Sequence, residues 1–348
     1  MAGGKIMRIP GFLKDGGTIG FAAPSFGCNI EPYKSAFNSA QEKFKSLGYK
    51  LEIGENCYKG CGMGISNTPL KCGQELDSFL AGKRADVVIS CGGGELMCEV
   101  LDYTSFDKIA KAEPVWYMGF SDNTNMTFLL PVLCDTAAIY APCAPAFGMR
   151  EWHKSIHDAF GLLTGTVSEV HGYSLWEKES LKTEENPIEP YNVTEKRETK
   201  YYNCNGNKAE FSGRLIGGCL DCLSTLTGTK YDKVAQFNER YKEDGIIWFM
   251  EACDLNVMGI RRALWQLAHA GWFKYVKGFL IGRPYCFGEE LFGLDQYKAV
   301  TGILEEYNVP VIMDLDIGHL PPMMPLVTGV KADIRADGND FSVKFFIT

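Results

Sequence analysis

Val115-Trp116-Tyr117-Met118-Gly119-Phe120-Ser121-Asp122-Asn123-Thr124 is the stretch on which the fold turns. An apolar run of strand character ends at Gly119, and a polar cluster suited to capping a helix begins at Asp122. Met126 to Leu133 continues as the apolar start of that helix. Ser121 therefore falls on a sharp strand-to-helix corner. The N–H groups after it are free, because the first turn of a helix has no internal partners for them. A hydroxyl beside unpaired donors is what acyl transfer needs, a nucleophile next to a place for its oxyanion. The motif is Gly-x-Ser-x-Asn, and from this stretch alone a second reading stands: Ser121 and Asp122 as plain helix caps.

Working outward, the corner belongs to an alternating pattern. Thr18 to Ala23, Lys50 to Ile53, Ala85 to Ser90 and Val115 to Phe120 read as strands. Tyr33 to Leu47, Leu70 to Leu80 and Glu95 to Leu101 read as helices between them. Strands alternating with helices specify a parallel sheet covered on both faces, with ligands beyond the strands' carboxyl ends. The loop Pro24-Ser25-Phe26-Gly27, the run Gly92-Gly93-Gly94 and Ser121 all follow strands at that edge. The glycine run fits neither dinucleotide nor P-loop spacing. It is read as a backbone donor near Ser121, or as a tight turn.

After Gly165 the composition changes. Trp176 to Arg197 is rich in Glu, Lys, Asn and Pro, and reads as a long surface loop or lid. Trp176, its one large apolar residue before the polar run, either tucks under the loop or faces the substrate. From Phe211 a second α and β pattern follows, including the apolar strand Gly245 to Met250 that ends at Glu251. Val330 to Arg335 and Phe341 to Phe346, around Asp337-Gly338, form a hairpin. The expected organisation is residues 1–165 as an α/β domain, 166–210 as linker and lid, and 211–348 as a second, smaller domain.

Composition sets the class. The chain has 348 residues with 46% hydrophobic and 22% charged content, as in soluble globular proteins. A net charge of -8 with no basic stripe argues against nucleic acid. No apolar run approaches a membrane span, and Met1 to Lys14 lacks the apolar core of an export signal. The 13 cysteines are read as reduced, mostly buried thiols in a cytoplasmic setting. Cys57-x3-Cys61 and Cys219-x2-Cys222 lack the second half of a zinc site, so no metal is expected.

A serine nucleophile needs a base, and the base an orienting carboxylate. Of five histidines, His319 stands apart in Asp314-Leu-Asp-Ile-Gly318-His319-Leu-Pro321-Pro322, held by glycine before and prolines after. Glu251 ends an apolar strand, where a carboxylate is costly unless paired or working.

These residues resemble the LD-carboxypeptidases, also called muramoyltetrapeptide carboxypeptidases, of which the microcin C immunity peptidases are a branch. Gly119-Phe120-Ser121-Asp122-x-Thr124 is similar to that family's nucleophile motif, Ile247-Trp-Phe-Met-Glu251 to its strand-borne glutamate, and Gly318-His319 with Pro322 and Pro325 to its histidine motif. Gly92-Gly93, Leu215-Ile-Gly-Gly218, Thr227-Gly228-Thr229 and Gly282-Arg283-Pro284 match in order, so the resemblance spans roughly residues 16 to 335.

The resemblance implies a parallel-sheet, flavodoxin-like nucleophile domain with a smaller β-rich C-terminal domain, commonly as a homodimer. It implies a serine peptidase without cofactor or metal. Ser121 would be nucleophile, His319 base and Glu251 its orienter, with the N–H groups of Asp122 and Gly93 holding the oxyanion. Gly92, Gly94 and Trp176 would contact the substrate, Trp176 stacking on a planar group such as a nucleobase. The substrate would be a murein tetrapeptide or an aminoacyl- or peptidyl-nucleotide conjugate. Asn123 stands where the family usually has an apolar residue, and Gly94 extends the glycine pair. The long 176–202 segment is closer to the immunity branch. Two other classes remain: a non-catalytic small-molecule binder using the interdomain crevice, and, weakest, a nucleotide-dependent oxidoreductase.

Overall fold

The computed structural model describes residues 6–62 and 64–347. Met1 to Lys5, the start of the stretch read for an export signal, lie outside the described residues. The first sheet contains β1 (Thr18–Ala22), β2 (Lys50–Ile53), β3 (Val87–Ser90), β4 (Trp116–Gly119) and β5 (Ala138–Tyr140). They run parallel in the order β5-β4-β3-β1-β2. β3 and β4 are buried throughout and lack polar alternation, as a sheet covered on both faces requires. Helix Tyr33–Ser46 lays Phe37, Ala40 and Phe44 on this sheet. Helix Pro69–Leu80 starts with proline at its first turn, where the missing N–H is no loss.

A sixth strand, Leu326–Thr328, returns from the far end of the chain and pairs antiparallel with β5. The Thr328 hydroxyl donates to the Thr127 carbonyl at 2.7 Å, tying it to the segment behind the Ser121 corner.

The second sheet has eight strands, and Lys208–Cys219, Ile246–Glu251, Val276–Gly282 and Val311–Leu315 form its parallel middle. The hairpin Lys331–Asp337 with Asp340–Phe345 continues it, and Glu169–His171 adds an edge. At the other edge Lys200–Tyr202 pairs with Val311–Leu315. Two pieces of the segment expected to be linker are thus strands of this sheet. They were illegible as strands because each has only three residues.

The long polar segment differs from a free loop in the same way. Leu175–Trp176 pairs with Glu195–Lys196, closing its base as a short hairpin. Buried Glu177 donates its N–H to the Pro321 carbonyl at 2.6 Å, two residues from His319. The segment is a strap fastened beside the histidine.

Behind that histidine sits a buried ionic knot. Asp316 is fully buried and pairs with Arg283 at 2.5 Å and Arg197 at 3.0 Å. It also accepts the Tyr173 N–H at 2.7 Å. Buried charges are tolerable only when paired and fully hydrogen-bonded, which this one is. The knot fixes the turn after Val311–Leu315, and that turn presents His319. No helix among the described residues is long and apolar enough to cross a membrane.

Candidate active site

β4 ends at Gly119, and the chain turns at once into a 3-10 turn, Ser121–Asn123, followed by helix Thr124–Thr127. Ser121 takes φ 62, a left-handed conformation rare outside glycine. Such strain persists only where the surroundings enforce it. Here Asn123 does so. Its amide donates to the Gly92 carbonyl at 2.7 Å and the Phe120 carbonyl at 3.0 Å, and its Oδ1 accepts the Tyr117 hydroxyl. The asparagine that departs from the usual pattern thus stitches the glycine run to the serine corner.

Asp122 does not cap the helix with its side chain, since no side-chain cap is made. Its carboxylate accepts the Ser25 hydroxyl, the Met97 N–H at 2.9 Å and an Asn125 N–H at 3.0 Å. Burial nevertheless raises its pKa above the usual carboxylate range. This leaves its backbone N–H beside Ser121 for another use. A Cβ placed on Gly93 would sit 3.0 Å from Ser121 Oγ and 3.9 Å from the Asp122 nitrogen. Gly93 is a glycine because any side chain there fills the space over the hydroxyl. Gly94 takes φ 141, and a Cβ on it would collide with Ser25 Oγ at 2.1 Å. Gly92 lines the same crevice.

Glu251 is the last residue of strand Ile246–Glu251 and only 2% exposed. His319 lies four residues past the strand Val311–Leu315. Its Nδ1 is 2.8 Å from Glu251 Oε2, and its Nε2 is 2.9 Å from Ser121 Oγ. Gly318 takes φ 108, and a Cβ there would lie 2.6 Å from Glu251 Oε2. Burial pulls the His319 pKa down, but the Glu251 charge and contacts to Cys253 outweigh it and hold it well above its ordinary value. The sequence places these three side chains 130 and 68 residues apart (251 − 121 and 319 − 251), and the fold joins them in one hydrogen-bonded line. A serine hydroxyl, an imidazole and a buried carboxylate in that order form the arrangement that activates a hydroxyl for acyl transfer.

Tyr140 escaped the sequence reading. Its hydroxyl donates to Glu251 Oε1 at 2.5 Å and accepts the Ser121 N–H at 3.2 Å. The fold supplies the missing signal: Tyr140 ends β5 in register with Gly119, at the edge where Ser121 emerges.

Ser121 separates two cavities. One, of about 480 Å³, is lined by Phe26, Tyr33, Phe120, Lys182, Tyr191 and His319 among others. The other, of about 160 Å³, also reaches Ser121 and is lined by Asp122, Asn125 and Cys222 among others. Lys182 and Tyr191 come from the strap and were not singled out in the sequence, whereas Trp176 was and is not in either lining. Trp176 is 5% exposed, its ring 5.2 Å from Phe287 and 4.9 Å from the Arg283 guanidinium. Its Nε1–H donates to the Lys196 carbonyl at 3.3 Å. Of the two readings of Trp176, this structure has the ring tucked under the strap, with the hairpin closed over it.

Among the described residues no cysteine is joined in a disulfide. Among the described residues no three His, Cys, Asp or Glu side chains are grouped as metal ligands.

Residues 19–141 match the model of the LD-carboxypeptidase N-terminal domain, and residues 212–334 match that of its C-terminal domain. The chain belongs to the LD-carboxypeptidase family. The chain is 26% identical over 337 residues to the microcin C7 self-immunity protein MccF of Escherichia coli, covering 95% of this chain and 94% of that one. The fold matches MccF in complex with glutamyl sulfamoyl guanosine at a TM-score of 0.81 with 23% identity, over 97% and 98% of the two chains. An MccF-like protein of Bacillus anthracis matches at 0.80 with 22% identity, over 97% and 99%.

Proposed function

We propose that this LD-carboxypeptidase family member is a serine peptidase that hydrolyses an amide in a small conjugate, with Ser121, His319 and Glu251 as its triad. The observation that carries the reading is the line of contacts from Ser121 Oγ through both imidazole nitrogens to Glu251, starting from a serine held at φ 62. His319 Nε2 takes the Ser121 proton as Oγ attacks the carbonyl. Glu251 keeps Nδ1 protonated and stabilises the imidazolium that forms. The oxyanion is received by the N–H groups of Asp122 and Gly93, where preorganised donors contribute several kcal/mol to the barrier reduction. His319 then protonates the leaving amine, and a water hydrolyses the acyl-serine by the reverse proton path.

The leaving group occupies the cavity that His319 lines, because the proton must reach its nitrogen there. At about 480 Å³, with four aromatic rings from Phe26, Tyr33, Phe120 and Tyr191 and the Lys182 cation, that cavity suits a nucleotide-bearing group better than a single small amino acid. The favoured substrate is therefore an aminoacyl- or peptidyl-nucleotide conjugate, the class whose sulfamoyl analogue MccF binds. A murein tetrapeptide is the second substrate, supported by the family itself.

A fluorophosphonate probe followed by peptide mapping tests the chemistry. Labelling of Ser121 that disappears in Ser121→Ala is expected; no labelling of the folded protein would leave a binding protein instead. Comparing turnover of aminoacyl sulfamoyl nucleotides with muramoyl tetrapeptide then ranks the substrates.

A further inference from the structure

The smaller cavity beside Ser121 has no role so far. With the leaving group placed on the His319 side, the acyl residue is left with this one. Its volume of about 160 Å³ is below the roughly 300–1,000 Å³ of a drug-sized site. It is therefore of a size for one residue. Its walls carry Glu95, Asp122, Asp221 and Asp254.

The four carboxylates differ in what they already hold. Asp221 accepts the N–H groups of Cys253, Asp254 and Leu255 at 3.1, 2.9 and 3.1 Å. Asp122 accepts Ser25, Met97 and Asn125, as described above. Glu95 and Asp254 stand exposed at the mouth. Burial, and then the charges of Asp254, Asp122 and Asp221, hold the Glu95 carboxyl above its usual range.

A second observation is independent of the charges. Asn125, 1% exposed, lines the same cavity. Its N–H groups go to the Asp122 carbonyl at 2.9 Å and the Asp122 carboxylate at 3.0 Å. Its Oδ1 has no partner among the described residues. A buried acceptor left unpaired costs about 1–3 kcal/mol, so it is normally matched by a donor. A ligand with N–H groups and a positive charge answers both the orphan acceptor and the unpaired carboxylates; an acidic or purely apolar ligand answers neither.

Resting on the serine-peptidase reading, we infer that this cavity is an acyl-side specificity pocket selecting a residue that presents a protonated amine. The amine belongs either to the acyl residue's side chain or to its free α-amino group. Glu95 and Asp254 supply the charge, and Asn125 Oδ1 receives one N–H.

Diphenyl phosphonate analogues of the acyl residue test this. Ser121 Oγ forms a bond to phosphorus, a P–O bond to phenoxide breaks, and the serine proton leaves with it as phenol. The rate of Ser121 modification is compared for lysine, N-acetyl-lysine, norleucine, N-acetylnorleucine and glutamate analogues. A rate at least tenfold above N-acetylnorleucine is expected for N-acetyl-lysine if the side-chain amine is read, or for norleucine if the α-amine is read. The glutamate analogue is expected to be slowest. In the Glu95→Gln/Asp254→Asn double variant the amine advantage should fall to within about twofold; an advantage that survives in the folded variant overturns the pocket. If the variant does not fold, the wild-type ratios decide. Equal wild-type rates, including no reaction with any analogue while a small fluorophosphonate still labels Ser121, overturn the pocket and leave the nucleophile standing. So does a preference for glutamate. Failure of the fluorophosphonate itself overturns both readings.

Discussion

Tyr140 donates its hydroxyl to Glu251 Oε1 at 2.5 Å, across the junction of the two sheets. The Tyr140 phenolic oxygen also accepts the Ser121 N–H, so one phenol from β5 touches the carboxylate and the serine that flank His319. A hydrogen bond to a carboxylate contributes about 1.5–3 kcal/mol. Tyr140→Phe is expected to lower kcat about 10- to 100-fold with KM nearly unchanged, since the hydroxyl holds catalytic groups rather than substrate. A KM effect with unchanged kcat would contradict this.

The pH dependence follows from His319. Its pKa lies above 6.5 in the folded protein because Glu251 outweighs burial. A base must be neutral to work, so kcat/KM should fall as pH drops through that raised value, with a midpoint above 6.5. The sign for stability is the opposite: the paired imidazolium stabilises fully below the unfolded pKa, and that contribution is lost as pH rises through the folded one. In Glu251→Gln the chief raising influence is gone and burial remains. The midpoint of the fluorophosphonate labelling profile should move down, alongside a rate loss of about 10⁴-fold.

Two glycines are expected not to tolerate a methyl group. Gly93→Ala puts a methyl 3.0 Å from Ser121 Oγ, over the oxyanion position. Activity should fall by 10²-fold or more, about what one lost oxyanion donor costs, while Tm shifts little. Gly318→Ala meets Glu251 Oε2 at 2.6 Å and also strains φ 108, so it should lose both activity and Tm.

Asp316→Asn tests the ionic knot. It leaves Arg197 and Arg283 buried without their full counter-charge, and breaking such a pair typically costs 3–5 kcal/mol. Chemical denaturation should show a loss of this size. Unchanged stability would mean that the two arginines find other partners.

Trp176→Ala should act through packing. The ring lies against Phe287 and Arg283, so its loss is expected to cost about 3–5 kcal/mol and to reduce all substrates alike. Tyr191→Ala, in the cavity wall, should instead weaken nucleotide conjugates selectively. Steady-state kinetics on both substrate classes separate the two outcomes.

Periodicity alone located the strand that delivers Ser121 and the helices beside it, because a strand buried on both faces announces itself by an unbroken apolar run. Ser121, Glu251 and His319 were legible because each follows a strand end and each matches a family motif. Tyr140 was not, since a tyrosine closing an apolar strand resembles core until its register with Gly119 is known. The strap failed differently. Its short strand Leu175–Trp176 is fixed by a partner about twenty residues away, so nothing local told that Trp176 would tuck under the strap while Lys182 and Tyr191 line the cavity. The helix expected from Met126 to Leu133 is broken into Thr124–Thr127 and Leu129–Cys134. Pro131, which cannot donate to the helix ladder, falls within the second piece.

The late strand Leu326–Thr328 sets a clock on the ribosome. β5, with Tyr140 in it, emerges early, but its antiparallel neighbour lies 186 residues further on (326 − 140). At about 5–20 residues per second that interval is roughly 10–40 s. Throughout it the growing chain carries an open sheet edge, the kind of surface that recruits stray strands. His319 and Leu326 then arrive within a second or two of each other. A nascent chain therefore lacks the imidazole beside Ser121 until this edge is about to close.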